Sequence, residues 1–287
     1  MPEISDEEHA AQVAVWRAAR DERLRSPDGW LALVGLHWLT PGENHFGAHP
    51  ANQVVLHGAH VPPRAGSLWL GEDGTVRLVP HPGVDLRNAG APAEEMTLAD
   101  DRDEHPTMLE LGTLRFHLIR RGERIGLRLR DSEAPALRAF NGMDHSPIDP
   151  SWRVIARLEP APPGATLEIV DITGARSRET TPGNIAFERD GATWRVAVLP
   201  GDENGSLWLI FGDATNGTDT YGGGRFLDSA PPAADGSVVV DFNLAYNPPC
   251  VFSPHATCPL PPAQNRLNLR IDAGELAFHL PRAQEAL

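Results

Sequence analysis

A proline-rich stretch near the C-terminus constrains the fold of this chain more than any other feature. The segment Asp241–Arg266 (DFNLAYNPPCVFSPHATCPLPPAQNR) contains both cysteines of the protein and six prolines between Pro248 and Pro262. Because proline fixes φ and has no backbone N–H, the segment can form neither the interior of a helix nor a central strand. We therefore predict a stiff loop that covers another part of the fold, a place where functional groups are often found.

The overall composition limits the classes of function. The chain has 287 residues, of which 41% are hydrophobic, and its net charge is −14. A protein this acidic lacks the cationic face that nucleic acids require, so DNA and RNA are not expected as partners. No apolar run approaches the ~20 residues that cross a bilayer, and the acidic N-terminus lacks the apolar region of a signal peptide. These features predict a soluble, cytoplasmic protein without membrane partners; they leave cofactor and oligomeric state unknown.

The pattern of turns predicts a mainly β fold. Ser5 and Glu8 form a capping box that starts an N-terminal helix, which runs to about Arg25. The 27 glycines and 27 prolines of the whole chain favour short strands joined by turns after this helix, and Leu267–Ile271 is predicted as the last of these strands. We predict three parts: a helix and lead-in over 1–40, a β-sandwich over 41–131, and a second β-rich domain, barrel or sandwich, over 132–287.

The first of the two β parts resembles a forkhead-associated domain. The stretch PGENHFGAHPANQVVL, Pro41–Leu56, is similar to the opening turn and strand of that family, and the pattern continues through 67–79 and 109–119. The family's phosphate-binding arginine falls at Ala48, and its serine-arginine pair falls at Pro62-Pro63. A phosphate dianion needs charge-assisted donors, which these residues lack. The resemblance therefore implies a sandwich that does not read phosphothreonine, and it suggests a protein–protein interaction module as the alternative function.

A second resemblance extends over nearly the whole chain. Long signature motifs are similar to those of an uncharacterised bacterial and archaeal group, domain-of-unknown-function family 1684. The motifs are GENHFG (42–47), RLRD (128–131), TYGGGRFL (220–227), DFNLAYNPPC (241–250), CPLPPAQNRL (258–267) and AGE (273–275). Membership of this family implies no established activity.

The two cysteines supply the candidate reactive group. Their spacing, C-x7-C, differs from the two to four residues that separate paired ligands in zinc knuckles, and we predict no metal site. They could instead pack the loop, act in redox chemistry, or provide a nucleophile. For catalysis we single out Cys250 as nucleophile, His255 as base and Asp241 as a second reactive candidate.

A glycine-rich turn and the proline loop supply the candidate ligand-binding groups. Three consecutive glycines before Arg225 would let the backbone approach an anion, and Arg225 and Arg266 could hold it. The full set of predicted ligand-binding residues is Tyr221, Arg225, Asn243, Tyr246, Asn247, Asn265, Arg266 and Glu275. The sequence thus predicts an enzyme or binding protein for a small anionic molecule. The two arginines could equally pair with Asp241 and Glu275 in a buried structural network.

Overall fold

The computed structural model describes residues 4–58, 60–201 and 205–279, which form two compact units. The β-sandwich unit comprises residues 25–140. The C-terminal unit comprises residues 141–279 together with the N-terminal residues up to 24. The division predicted at residue 131 remains a prediction about domain organisation.

The N-terminal helix, α1, spans Asp6–Arg25 and begins at the predicted capping box. The Ser5 N–H donates to the carboxylate of Glu8 (2.9 Å), and the Glu8 N–H donates to the Ser5 hydroxyl (3.2 Å). Its buried face carries two apolar and two polar residues, namely His9, Val13, Arg20 and Leu24. A helix with so few buried apolar side chains needs polar contacts to hold it against its neighbours.

The β-sandwich unit consists of two sheets around one apolar core. Its elements are β1 Leu33–Trp38, β2 Gly42–Gly47, β3 Val54–Val55, β4 Gly66–Leu70, β5 Val76–Pro80, β6 Arg87–Asn88, β7 Ala91–Pro92, β8 Met96–Leu98, β9 Leu109–Leu111, β10 Leu114–Arg121, β11 Arg124–Asp131 and α2 Pro135–Ala139. The strand orders are β3-β2-β4-β5-β8 and β1-β11-β10-β9-β6-β7. Alternate residues of β10 and β11, such as Phe116 and Leu127, enter the core, as the period of two in a half-buried strand requires.

The C-terminal unit is built on one antiparallel sheet. Its strands are β12 Arg153–Pro160, β13 Thr166–Val170, β14 Arg176–Thr180, β15 Gly183–Arg189, β16 Ala192–Pro200, β17 Leu207–Phe211, β18 Arg225–Ser229 and β19 Ser237–Asp241. The order β18-β17-β16-β15-β12-β19 brings its first and last strands near each other, so the sheet is nearly closed, and β13 and β14 form a separate hairpin. Phe242, directly after β19, fills the interior against the rings of Trp152, Phe187 and Phe211.

Most of the fold matches the sequence prediction, with two corrections. The chain is mainly β with an N-terminal helix, as expected. However, the strand predicted at 267–271 is wrong. Leu267, Leu269 and Ile271 alternate into the core, but the backbone meets the sheet only through isolated hydrogen bonds to Gly212 and Ala214. An alternating pattern of apolar residues shows that one face of the segment is buried, but it does not require the segment to be hydrogen-bonded to a neighbouring strand.

The second correction concerns a strand that the composition concealed. Arg225–Ser229 forms β18, although it lies in a stretch that is polar and rich in glycine. Four of its five residues are buried.

None of the helices in the described part of the chain has the length and apolar character needed to cross a bilayer.

Candidate functional site

The proline loop has the predicted irregular structure. Beyond Asp241, the last residue of β19, it contains no α-helix or strand, only the 3₁₀ turns Phe242–Leu244, Pro249–Val251 and Ala263–Asn265. The side chain of Asn265, which is fully buried, fixes its far end. The amide group donates to the Ala197 and Ile210 carbonyls and accepts from the Ala197 N–H, all at 2.8 Å. Asn265, predicted as a ligand-binding residue, is thus fully occupied by backbone groups of β16 and β17.

Asp241 and Asn243 fix the near end of the loop. One carboxylate oxygen of Asp241 accepts from the backbone and side-chain nitrogens of Asn243. Asn243 in turn bonds both the N–H and the carbonyl of Asp149. The other oxygen of Asp241 lies 2.6 Å from Nε2 of the buried His9 on α1. The structure therefore places both carboxylate oxygens of Asp241 in contacts that hold the loop and the helix.

Glu275 is the centre of a second set of buried contacts. Its carboxylate, with no exposed surface, accepts from Nε of Arg20 (2.9 Å) and from the N–H of Asn247 (2.7 Å). Arg20 also donates to the Asn247 carbonyl, and its guanidinium lies 4.8 Å from the ring centroid of Tyr246. The Asn247 side chain donates to the Leu276 carbonyl. These contacts join α1, the loop and the C-terminal segment.

Tyr246 lies beside this set, with its hydroxyl donating to Asp228 at 2.8 Å. Burial, and then the neighbouring carboxylate, raise the pKa of Tyr246 above its ordinary value. The Tyr246 hydroxyl therefore stays protonated at neutral pH and acts as a hydrogen-bond donor.

Arg225 is completely buried and pairs with a residue that the sequence did not suggest. Its guanidinium contacts the carboxylate of Asp213, which is also fully buried, and donates to the carbonyls of Ala273 and Ile271. The predicted partners, Asp241 and Glu275, are wrong for Arg225, because they pair with His9 and Arg20 on α1. The structure leaves no part of Arg225 in contact with solvent.

A tyrosine and the two cysteines lie together at the surface of the loop, with their side chains half-buried or buried. We call Tyr221, Cys250 and Cys258 the dithiol cluster. The thiol of Cys250 lies 3.5 Å from the Tyr221 hydroxyl, and the Cys250 N–H donates to Sγ of Cys258 at 3.0 Å. The two thiols are not joined in a disulfide. Cys250 is half-buried, whereas Cys258 is only 3% exposed.

The surroundings of Cys250 favour its thiolate. The hydrogen bond from Cys258, helped by that from Tyr221, lowers the pKa of Cys250 from 9.0 to about 7, against the opposing effect of burial. Burial and the same hydrogen bond raise the pKa of Tyr221, which therefore remains a donor at neutral pH. Burial lowers the pKa of His255, but its ring makes no hydrogen bond to either thiol among the described residues. The structure thus joins Cys250 to a tyrosine and a second cysteine rather than to the predicted histidine.

We expect alkylation of Cys250 by iodoacetamide to reach half its maximal rate near pH 7. Below that pH the thiol is protonated and unreactive, and above it the thiolate predominates. Cys258→Ala should move the half-point upward, and by more than Tyr221→Phe, because the thiol makes the larger contribution. Rates measured by mass spectrometry from about pH 5 to about pH 10, roughly the range over which thiols titrate, test this, with Cys250→Ser as the unlabelled control. A half-point near the ordinary value, unmoved by Cys258→Ala, contradicts it.

The turn after Tyr221 offers unoccupied hydrogen-bond donors. Within the described residues, neither the Gly222 nor the Gly223 backbone N–H donates to another protein group. Gly224 completes the turn at φ 93°, and a Cβ there would lie 2.4 Å from Pro261, so only glycine fits. Successive free N–H groups of this kind suit an anion.

One exposed cation lies next to the same proline. Arg266 and Pro261 both lie beside Gly212. A Cβ atom added to Gly212 would lie 3.7 Å from Cγ of Arg266 and 3.9 Å from Cγ of Pro261. The Arg266 guanidinium is exposed and makes no hydrogen bond or ion pair with the residues that the structure describes. Of the two arginines predicted to hold an anion, Arg266 is therefore the one with an available side chain.

Sequence reasoning overlooked the acidic and helical partners of this region. Asp213, His9 and Arg20 were not predicted, and Cys258 was considered only as the second cysteine of the loop. An aspartate two residues after the end of the apolar strand β17 was the available signal for Asp213. In the described part of the chain, no group of three or more His, Cys, Asp or Glu side chains is placed to hold a metal ion.

Residues 138–276 match the model of the family described as "Protein of unknown function (DUF1684)". The chain is similar to the NMR structure of an uncharacterised protein from Haloarcula marismortui. The two are 31% identical over 50% of this chain and 80% of that one, with a TM-score of 0.41. A crystal structure of Rad53 in complex with AMP-PNP matches at 15% identity over 55% of this chain and 35% of that one, with a TM-score of 0.17.

TM-scores of 0.41 and 0.17 are too low for either structure to define the fold or the function of this chain. The forkhead-associated resemblance and the interaction-module alternative therefore stay predictions. No curated protein matches the chain.

Proposed function

We propose that the C-terminal unit binds a small anionic molecule beside the dithiol cluster, as an enzyme or binding protein in which Cys250 is the reactive group. The observation that carries the proposal is the half-exposed Cys250 thiol, held between Tyr221 and Cys258 with its pKa lowered to about 7. A thiol with this pKa is substantially ionised at neutral pH, which a structural cysteine packed in apolar surroundings is not. Perturbed groups of this kind are concentrated at functional sites.

Unoccupied donors near the cluster support the choice of an anion. The N–H groups of Gly222 and Gly223 directly follow Tyr221, and Arg266 lies beside Pro261, which packs on the same turn. In this proposal the two amides and Arg266 hold the anion, and Tyr221 donates to whichever charged atom lies next to Cys250. Arg225 contributes indirectly, since its contacts with Asp213 and with the Ile271 and Ala273 carbonyls fix β18 under the turn.

The polar residues of the loop act as supports in the same proposal. Asn243, Asn247, Asn265 and Glu275 bond the backbone or α1. Backbone groups in a buried irregular segment need partners, and these side chains supply them. Their role would be to keep Cys250 and the glycine turn in fixed positions.

Binding of simple anions provides the test. We expect one or more of inorganic phosphate, sulfate, acetate and succinate, each compared with chloride at equal ionic strength, to raise the melting temperature by about 2–4 °C, the shift for roughly 1 kcal/mol in a chain of this size. The same anion should slow alkylation of Cys250, because a nearby negative charge disfavours the thiolate.

Two arginine variants make the test specific. Arg266→Ala should abolish both effects. Arg178→Ala removes an exposed arginine of β14 that makes no ion pair with the described residues, and it should change neither effect. If no anion in the series acts, or if the effects survive Arg266→Ala, the proposed anion site is wrong.

A further inference from the structure

The two cysteines of the dithiol cluster are already in contact in their reduced form. Sγ of Cys258 lies 3.0 Å from the backbone nitrogen of Cys250, whose N–H donates to it. Because that nitrogen is two bonds from Cβ of Cys250, the second sulfur already lies beside the side chain with which it would bond. A disulfide requires Cβ atoms about 3.5–4.5 Å apart, a separation that this contact allows without unfolding the loop.

The two thiols differ in access to solvent. Cys250 is half-buried, whereas Cys258 is 3% exposed. A small oxidant therefore reaches Cys250 first. The buried thiol beside it then has the position of a resolving cysteine, an arrangement typical of reversible thiol oxidation.

We propose that the dithiol cluster is a reversible oxidation site, at which a peroxide oxidises Cys250 and Cys258 then closes an intramolecular disulfide. In the first step the Cys250 thiolate attacks one peroxide oxygen, the O–O bond breaks, and sulfenic acid and one water form with a proton from solvent. In the second step Cys258 attacks the sulfenyl sulfur, loses its proton, and releases a second water. Two thiols and one hydrogen peroxide thus give one disulfide and two waters, and a dithiol reductant reverses the change by exchange.

The disulfide would switch off the site of the proposed function. It removes the thiolate of Cys250 and the hydrogen bond between Cys250 and the Tyr221 hydroxyl. Tyr221 directly precedes the two free glycine amides, so the change occurs next to the proposed anion-binding turn. This consequence rests on the proposed function, whereas formation of the disulfide does not and can be measured without any anion.

The experiment treats the full-length native protein with about one equivalent of hydrogen peroxide, the amount that the balanced reaction consumes. We expect intact-mass spectrometry to show loss of two hydrogens, and tryptic mapping to show the same loss within the single peptide 226–266, which contains both cysteines. Dithiothreitol should restore the reduced mass together with alkylation of Cys250. Phosphate and the other anions are absent throughout, so failure here is distinct from failure of the anion site.

Single-cysteine variants separate the two roles. In Cys258→Ser, Cys250 should stop at sulfenic acid and be trapped by dimedone. In Cys250→Ser, Cys258 should remain reduced and alkylate at least tenfold more slowly than Cys250 in Cys258→Ser, an order-of-magnitude expectation for a buried thiol. Tyr221→Phe should still form the disulfide. Overoxidation of Cys250 without a disulfide, a disulfide between two chains, or equal reactivity of the two cysteines overturns the proposal.

Discussion

Replacing Asp213 with alanine is expected to lower the free energy of unfolding by about 3–5 kcal/mol, the cost of leaving one member of a buried ion pair without its partner. Neither Asp213 nor Arg225 has exposed side-chain surface. The remaining carboxylate oxygen of Asp213 also accepts from the N–H and hydroxyl of Thr215, so the substitution removes two further hydrogen bonds. Urea unfolding followed by tryptophan fluorescence and circular dichroism measures the loss.

An exposed ion pair in the same unit provides the matched control. Asp219 pairs with Arg270 at 2.6 Å, and about half of each side chain is exposed. Asp219→Ala should therefore cost less than about 1 kcal/mol. The double variant Asp213→Leu/Arg225→Met should recover much of the stability lost in Asp213→Ala, because it leaves no unpaired charge. If Asp213→Ala unfolds like Asp219→Ala, the buried pair is not what holds β18.

This pair also shows why the role of Arg225 was difficult to predict. An arginine after three glycines is a reasonable anion ligand as long as its surroundings are unknown. The sequence does not reveal that the turn folds back and places Arg225 beside Asp213, twelve residues earlier. Burial depends on the path of the whole chain, and here it decides between a ligand-binding and a structural arginine.

Local signals, by contrast, were reliable. The capping box at Ser5 and Glu8 and the irregular proline loop were both predicted, because each depends on residues close together in the sequence. The false strand at 267–271 and the overlooked β18 depend on which neighbour pairs with the segment. That choice is made by tertiary structure.

The same distinction between local signals and tertiary structure applies to the residues of the candidate site. Cys250, Tyr221 and Arg266 were singled out from the sequence, and the structure leaves their reactive or charged groups accessible. The asparagines of the loop were singled out for their chemistry as well, but the backbone occupies them. A buried loop that forms no helix or sheet contains many backbone N–H and carbonyl groups that need hydrogen-bond partners from elsewhere. Asn243 and Asn265, which bond main-chain groups at the two ends of the loop, meet that need.

Removing the carboxylate of Glu275 is expected to release α1. Glu275→Ala leaves the Arg20 guanidinium and the Asn247 N–H without their acceptor in a buried environment. The expected cost is again about 3–5 kcal/mol, the range for a broken buried pair. Since α1 buries only Val13 and Leu24 as apolar residues, its attachment depends mainly on polar contacts such as this one. Amide hydrogen exchange should show α1 losing protection at lower urea concentrations than the strands β15–β17.

A second carboxylate variant shows whether α1 loses protection because its contact with Glu275 is broken or because the whole unit is destabilised. Glu159 forms an exposed pair with Arg195, and Glu159→Ala should leave the exchange of α1 unchanged. Arg20→Ala should expose α1 to exchange as Glu275→Ala does, because both break the same pair. A helix that stays protected in both variants would show that its contact through His9 and Asp241 is sufficient, and the assigned role of Glu275 would then be wrong.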